Sequence, residues 1–491
     1  MHIAFAASEC VPFSKTGGLA DVVGALPRAL ASLGHQVSVY VPRYRQTKLA
    51  DPQTVVRSIT IPFDDKYRFC SVVTAGTSGG VRYYFVDYPP YFDRDGLYGT
   101  PVGDYTDNAE RYALFSRAVI EASKVLGVPH VFHCHDWQSA LVPVMLNTLY
   151  AEDPAFREVG TVFTIHNIGY QGLFPSDILP LLMLPWDLLT ISKMEFFGQV
   201  NFLKGALVFS DFITTVSRKY SQEIQTTEYG FGLEGVLRNR ASTVTGIVNG
   251  VDYEEWSPQT DRLIAAKYSP QDLSGKAKCR QDLLNVFGVT NADPKLPVVG
   301  IVSRFAAQKG FDLIAQTMDR LAREEMIVVV LGTGDKPYEE MFQRLNKQFP
   351  GKIAIKIAYD NVIAHKIEAG ADMFLMPSRY EPCGLNQIFS LKYGTVPIVR
   401  ATGGLDDTIE PWDVRTGKGT GFKFTDYTGE ALLATIKQAL VAFRDQSSWQ
   451  TLMRNGMARD FSWGASAREY GKVYERVRQM KAGAVPEKVS V

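Results

Sequence analysis

The sequence predicts an α/β protein of two domains, each a doubly wound parallel sheet covered by helices. Three observations predict it. Short apolar runs, such as those at 2–7, 297–302 and 372–376, lack the alternation of a half-solvated strand and read as buried parallel strands. Helical apolar patterns follow them across glycine-containing turns, which is the rhythm of βαβ units. The length of 491 residues exceeds what one hydrophobic core supports, so two domains are expected.

Composition narrows the function. Hydrophobic content of 46% and charged content of 21% are those of a soluble globular protein. Lys+Arg and Asp+Glu both total 52, and no long basic block occurs, so neither a nucleic acid nor an acidic membrane is expected as partner. The five cysteines (Cys10, Cys70, Cys134, Cys279 and Cys383) are odd in number and scattered, which fits a reducing compartment without a disulfide framework. No apolar run reaches the ~18 residues of a membrane span, and no basic leader precedes the first strand. A cytoplasmic protein is expected.

In the first half, a strand at about 2–8 leads into Lys15-Thr16-Gly17-Gly18, a helix to about Leu33 and a strand at 36–41. This βαβ unit is not a dinucleotide fingerprint. It has no G-x-G-x-x-G, and Tyr40-Val41-Pro42 stands where an acidic ribose ligand belongs. Lys15 with Gly17 and Gly18 instead offers an anion a charge and close backbone approach. Residues 54–88 alternate in short β-like runs and read as an antiparallel insertion at the sheet edge. Residues 89–105, rich in Tyr, Gly, Pro and Asp, read as a long loop of the kind that binds ligands or forms a lid. A helix over 106–126 restores the rhythm.

The strand at 130–135 ends in His133-Cys134-His135-Asp136-Trp137. His133 and His135 share one sheet face. No further metal ligands lie nearby, so no metal is assigned and a cleft-lining role is expected. Asp136 and Trp137 form a sugar-binding combination, the ring for stacking and the carboxylate for hydroxyls. His166 ends the next strand, with a core histidine as the alternative reading. Strands at 211–215 and 246–250 follow. The rhythm then breaks for about 45 residues punctuated by Pro258, Pro270, Gly275, Pro294 and Pro297, which marks the domain boundary.

The second alternation begins at 297–304, with strands at 327–331, near 353–357, 372–376 and 396–399, and helices near 429–442, 448–459 and 464–480. Glu381 sits at a strand's carboxyl end with Gly384 near the following helix start, where free N–H groups and the helix dipole suit a phosphate. Arg304 and Lys309 add two cations, enough for a diphosphate clamp, and the carboxylate suits sugar hydroxyls. A nucleotide-sugar donor in the cleft between two Rossmann-like halves is the expectation.

Seven motifs in order carry a resemblance over essentially the whole length: 15–23, 133–137, 164–167, 246–252, Ser303-Arg304 with Gln308-Lys309-Gly310, Glu381-Pro382-Cys383-Gly384-Leu385, and Thr402-Gly403-Gly404-Leu405. The chain resembles the bacterial glycogen synthases and plant starch synthases, retaining glycosyltransferases of the GT-B fold. The resemblance implies transfer of glucose from ADP-glucose to the non-reducing end of an α-1,4-glucan such as glycogen, with no cofactor. It implies Lys15 and Gly18 bordering the donor, Arg304 and Lys309 on its phosphates, Glu381 on the glucose hydroxyls, His166 beside the anomeric carbon and Asn249 near the donor sugar. Asp136, Tyr98 and Trp137 would face the acceptor. Cys383, Gly384 and Leu385 complete the donor motif, Cys383 without a nucleophile's role because no base adjoins it. The implied domains are 1–250, 251–462 and a helix from 463 to 491 crossing back to the first.

Two positions depart from the family pattern. Phe389 stands where many retaining GT-B enzymes carry a ribose-binding glutamate, and Asn386 stands where a threonine is usual. Both blur the choice between ADP-glucose and UDP-glucose. The rival readings are a glucan phosphorylase-like enzyme, which needs a pyridoxal-phosphate lysine, and a glucan-binding scaffold without turnover. A nicotinamide oxidoreductase is disfavoured by the missing fingerprint.

Overall fold

The computed structural model describes residues 1–63, 66–290 and 292–483. The chain divides into two compact units: Met1–Val216, Ser221–Gly250 and the segment from Trp463 form one, and Ser217–Tyr220 with Val251–Ser462 form the other. Among the described residues no helix is long and apolar enough to cross a membrane.

The first unit holds β1 (His2–Ala6), β2 (Gln36–Pro42), β3 (Gln53–Phe63), β4 (Lys66–Ser78), β5 (Val81–Asp87), β6 (Val131–His135), β7 (Gly160–Ile165), β8 (Phe212–Thr215) and β9 (Val244–Gly246). They form one sheet in the order β9-β8-β7-β6-β1-β2-β5-β4-β3. β1 is buried at every position, as a strand with helices on both faces must be. Within this sheet the antiparallel pairings are those of β4, with β3 and with β5. β5 pairs in parallel with β2, so the expected antiparallel block at 54–88 is corrected at its last strand. The alternation there belongs to a strand with one antiparallel and one parallel neighbour, which pattern alone does not separate. The closing helix Trp463–Gly483 buries Tyr470, Tyr474 and Val477 against Ile3, Val37 and Val131 of this same unit.

The second unit holds β10 (Val298–Val302), β11 (Ile327–Gly332), β12 (Ile353–Ile357), β13 (Met373–Met376), β14 (Val396–Arg400) and β15 (Phe422–Phe424). All pair in parallel, in the order β12-β11-β10-β13-β14-β15. Successive side chains feed opposite faces. Val299, Ile301, Val328 and Val330 join one core with Phe342 and Leu432, while Val298, Ile327, Val329 and Leu331 join another with Leu283 and Ile367.

The stretch that follows Gly250 carries structure of its own. It contains the helix Ser274–Val286, whose Lys276 is buried and donates to Ala369 O (3.0 Å), Tyr393 O (3.1 Å) and Thr395 Oγ1 (2.8 Å). Ser217–Tyr220 groups with the second unit. Ser217 Oγ donates to Pro382 O at 2.6 Å, and the Lys219 N–H donates to the Asp407 carboxylate at 3.0 Å.

In each sheet the chain leaves a central strand to build one side, then returns to build the other. The reversals fall between β1 and β6 and between β10 and β13. Ligands of open α/β sheets bind outside the carboxyl ends of the strands at such reversals. In the first unit these ends carry Glu9 and Asp136, and in the second Arg304 and Glu381.

Candidate active site

In the second unit Glu381 is 6% exposed and makes two side-chain contacts. Its Oε2 accepts from Lys309 Nζ at 2.6 Å and from Ser378 Oγ at 3.0 Å. The pairing answers the cost of enclosing a carboxylate. Lys309 rests in the turn Ala307–Lys309, just after β10. Arg304 is exposed, and among the described residues it has no ion-pair partner. One carboxylate, its paired ammonium and a free guanidinium therefore lie on segments that follow the two strands flanking the reversal.

Two glycine positions let this arrangement close. Gly384 has φ +71°, and a Cβ there would press Gln387 Oε1 at 2.6 Å. Gly403 has φ +44°, and a Cβ there would overlap the Glu381 carbonyl oxygen. The turn before Gly403–Thr408 thus packs directly on the Glu381 backbone, with Gly404 N–H donating to Glu381 O at 3.1 Å. Leu385 immediately precedes the seven-residue helix Asn386–Lys392, at its N-cap position and without a side-chain hydrogen bond to it. Cys383 is 5% exposed.

Both departures from the family pattern are engaged by other residues of the second unit. Asn386 Nδ2 donates to Val302 O at 2.9 Å, tying the helix to the end of β10. Phe389 is 9% exposed and stacks on Trp256 at 3.9 Å between ring centroids and 5° between planes. The other side of Trp256 stacks on His365 at 3.7 Å, and His365 Nδ1 meets Asp261 Oδ2 at 2.8 Å.

In the first unit Lys15 Nζ pairs with Asp21 Oδ1 at 2.7 Å, with both side chains well exposed. A Cβ at Gly17 or Gly18 would meet no atom within 4 Å. Neither glycine is required by a protein neighbour, so the space beside this turn is open to a ligand. The turn is held by Glu9, a residue the sequence reading missed. Glu9 is 3% exposed and accepts from Thr16 N, Thr16 Oγ1 (2.6 Å), Gly17 N (3.2 Å) and Tyr98 Oη.

Tyr98 is therefore engaged within the protein, its hydroxyl shared between Glu9 and Ser8 Oγ (2.8 Å), and it joins the 89–105 loop to the glycine turn. That loop does not fit a lid. Fully buried Arg111 donates to Tyr91 O (2.8 Å), Leu97 O (2.9 Å) and Asn108 Oδ1 (2.6 Å), and Arg94 pairs with Asp107 at 2.6 Å. Opening it would strand a buried cation.

Asp136 follows β6 with φ +53°, an uncommon backbone state for a residue other than glycine. Its amide donates to Thr164 O at 3.0 Å, and its carboxylate accepts from the His166 N–H at 2.7 Å. Enclosure pushes its carboxyl up to about 7, against the opposing pull of the His166 and Asn167 backbone N–H groups. Such strain and such a shift mark functional positions.

Trp137 does not fit a stacking platform. It is 8% exposed, edge-on to Tyr112 at 5.0 Å and beside Phe174 at 5.7 Å, with the Gly172 backbone against its ring. His133 is likewise no cleft residue. It is wholly buried, with Nδ1 on Tyr474 Oη (2.8 Å) and Nε2 on Thr164 Oγ1 (2.6 Å). His135 is also buried, its Nδ1 lying 3.0 Å from His166 Nε2. His166 itself is partly open, and burial pushes its imidazole down to about 3. Asn249 is 6% exposed, and its Oδ1 is buried without a partner among the described residues. Among the described residues no group of three or more His, Cys, Asp or Glu could hold a metal ion.

Residues 2–239 match the family model described as the starch synthase catalytic domain, and 285–448 match glycosyl transferases group 1. The chain is 72% identical to the glycogen synthase of Koribacter versatilis over 98% of its own length and 99% of that protein. It is 47% identical to the glycogen synthase of an Anaeromyxobacter species, over 96% of this chain and 99% of the relative. Among solved structures, the catalytic domain of starch synthase IV from Arabidopsis thaliana, bound to ADP and acarbose, superposes with a TM-score of 0.88 at 32% identity, covering 97% of this chain and 99% of that one. The two largely parallel sheets are thus those of a GT-B glycosyltransferase, and with near-complete coverage at this identity the chain belongs to the glycogen synthase family.

Proposed function

We propose that the protein is a hexosyltransferase that moves glucose from ADP-glucose to the non-reducing end of an α-1,4-glucan, with retention of configuration. The observation that carries this reading is the second unit's arrangement of Glu381 paired with Lys309, with an unpaired Arg304 following the neighbouring strand. A departing nucleoside diphosphate gains negative charge as the glucosyl–phosphate bond breaks. Cations aimed at it act more on the transition state than on bound substrate. Arg304 offers a planar fork for two phosphate oxygens and Lys309 a point charge. Glu381, relieved of Lys309 when a diphosphate competes for the ammonium, would accept from sugar hydroxyls. In the first unit, Lys15 and Gly18 would border the donor, while Asp136, His166 and Asn249 supply polar groups to sugar. Asn249 Oδ1, buried and unpartnered, is suited to a hydroxyl donor.

The test is incubation with glycogen and ADP-glucose or UDP-glucose in competition. ADP release together with lengthened α-1,4 chains supports the reading, and preferential use of UDP-glucose corrects the donor. Binding of glycogen without turnover on either donor would leave a scaffold. Glucosyl transfer only from glucose 1-phosphate, with pyridoxal absorbance, would mean a phosphorylase.

A further inference from the structure

We infer that His135 is a positioning residue that holds His166 as the Nδ1–H tautomer, so that His166 meets substrate as a neutral hydrogen-bond donor and not as a base. The catalytic consequence rests on the proposed role of His166 at the donor sugar, whereas the tautomer does not.

His135 Nδ1 and His166 Nε2 lie 3.0 Å apart, so one N–H stands between them. Both rings are neutral. Burial drives His135 well below its ordinary value, reinforced by His133 and His166, and drives His166 down to about 3. A neutral imidazole carries a single N–H, which leaves two arrangements. If His166 donates, the proton of His135 sits on Nε2. That atom is buried without a partner among the described residues, so the arrangement leaves a buried N–H orphaned, a rare state in folded proteins. If His135 donates, its Nε2 keeps only a lone pair, and no donor is stranded.

The ring of His135 packs against Phe5, stacked at 5.3 Å and 17°, and against His133 at 4.1 Å, two rings that themselves meet at 4.8 Å. Its donor direction is therefore fixed by the core. Accepting at Nε2 forces the proton of His166 onto Nδ1. His166 Nδ1 has no hydrogen-bond partner among the described residues and is not one of the buried orphans, so its N–H is open to a ligand oxygen. An imidazole of this form can donate to a sugar oxygen but has no free lone pair on the open side with which to take a proton.

Histidine-selective ¹⁵N NMR of the full chain reads the tautomer directly, and with seven histidines the signal of His166 is assigned by its loss in His166→Asn. The expected result is a protonated Nδ1 and a bare Nε2, unchanged across neutral pH. An Nε2–H at His166 overturns the inference, and this measurement does not depend on whether the His135 variants fold. Kinetics provide the second arm. His135→Asn keeps an N–H near the Nδ1 position and is expected to hold kcat within about fivefold, whereas His135→Leu loses about 10²-fold in kcat with KM for ADP-glucose little changed, the scale of a misplaced catalytic group. Wild-type kcat in His135→Leu with the same His166 tautomer would overturn the positioning role. Absence of transfer from any nucleotide-glucose in the wild type would remove the functional reading and leave the tautomer result standing.

Discussion

The two sheet reversals are equipped by opposite means. In the second unit the groups are charged and partly open: Lys309 pairs with Glu381 while remaining 24% exposed, and Arg304 faces solvent. In the first unit the acidic groups are enclosed and held by backbone N–H groups, Glu9 by Thr16 and Gly17 and Asp136 by His166, beside histidines that stay neutral. An ion pair within reach of water can exchange partners when an anion arrives. A carboxylate gripped by backbone amides cannot let go without remaking its loop. The difference separates a region suited to answering charge from one suited to keeping shape.

The sharpest way to break this contrast is to remove the cations. Arg304→Ala or Lys309→Ala is expected to lower kcat by roughly 10²–10³-fold, the scale of one preorganised electrostatic group, with KM for ADP-glucose moving much less. Steady-state kinetics in which KM rises and kcat holds would make these cations binding groups only. Next comes the first unit's own scaffold. Glu9→Gln is expected to cost roughly 10–100-fold in kcat/KM, the worth of one or two charge-assisted hydrogen bonds. If kcat/KM matches wild type, the glycine turn keeps its shape without the carboxylate.

A smaller effect tests how the first unit carries its acids. Because the folded-state carboxyl of Asp136 titrates at about 7, above the ordinary 3.8, the folded chain keeps that proton longer than the unfolded one. This group therefore favours the fold at low pH and loses that contribution as pH rises from about 4 to 7. Asp136→Asn can still accept from the His166 N–H. Its Tm should exceed wild type at pH 8 and approach it at pH 4, while turnover falls. Melting curves with an equal gap at both pH values would mean that Asp136 is not titrating there. The smallest expected change is the stability of Lys15→Ala. The exposed pair with Asp21 contributes at most about 1 kcal/mol, so Tm should barely move while KM for the donor rises. A large drop in Tm would make Lys15 a structural residue.

The α/β alternation is legible because a strand such as Ile327–Gly332 must be apolar on both faces wherever helices cover both. The direction of β5 is not, since the same residues serve a parallel and an antiparallel neighbour. The helix Ser274–Val286 escapes notice because it buries Lys276 and only a few apolar residues, under a run of charges. Within the candidate site, residues at carboxyl strand ends such as Asp136, His166 and Glu381 announce themselves by position. Glu9 does not, because its meaning lies in partners at Thr16 and at Tyr98, 89 residues away. Trp137 and His133 mislead for the converse reason. An aromatic or imidazole ring serves a core as readily as a ligand, and only their neighbours decide.

The stack of His365, Trp256 and Phe389 carries a consequence for how this lineage could change. A glutamate at position 389 would match the pattern of other retaining GT-B enzymes, yet here it would set a carboxylate against an indole whose other face is already filled. The step is uphill taken alone and becomes accessible only after Trp256 or His365 has changed. Three residues from distant parts of the sequence are thus coupled, and the order in which they mutate decides whether a glutamate at 389 can be reached without loss of stability.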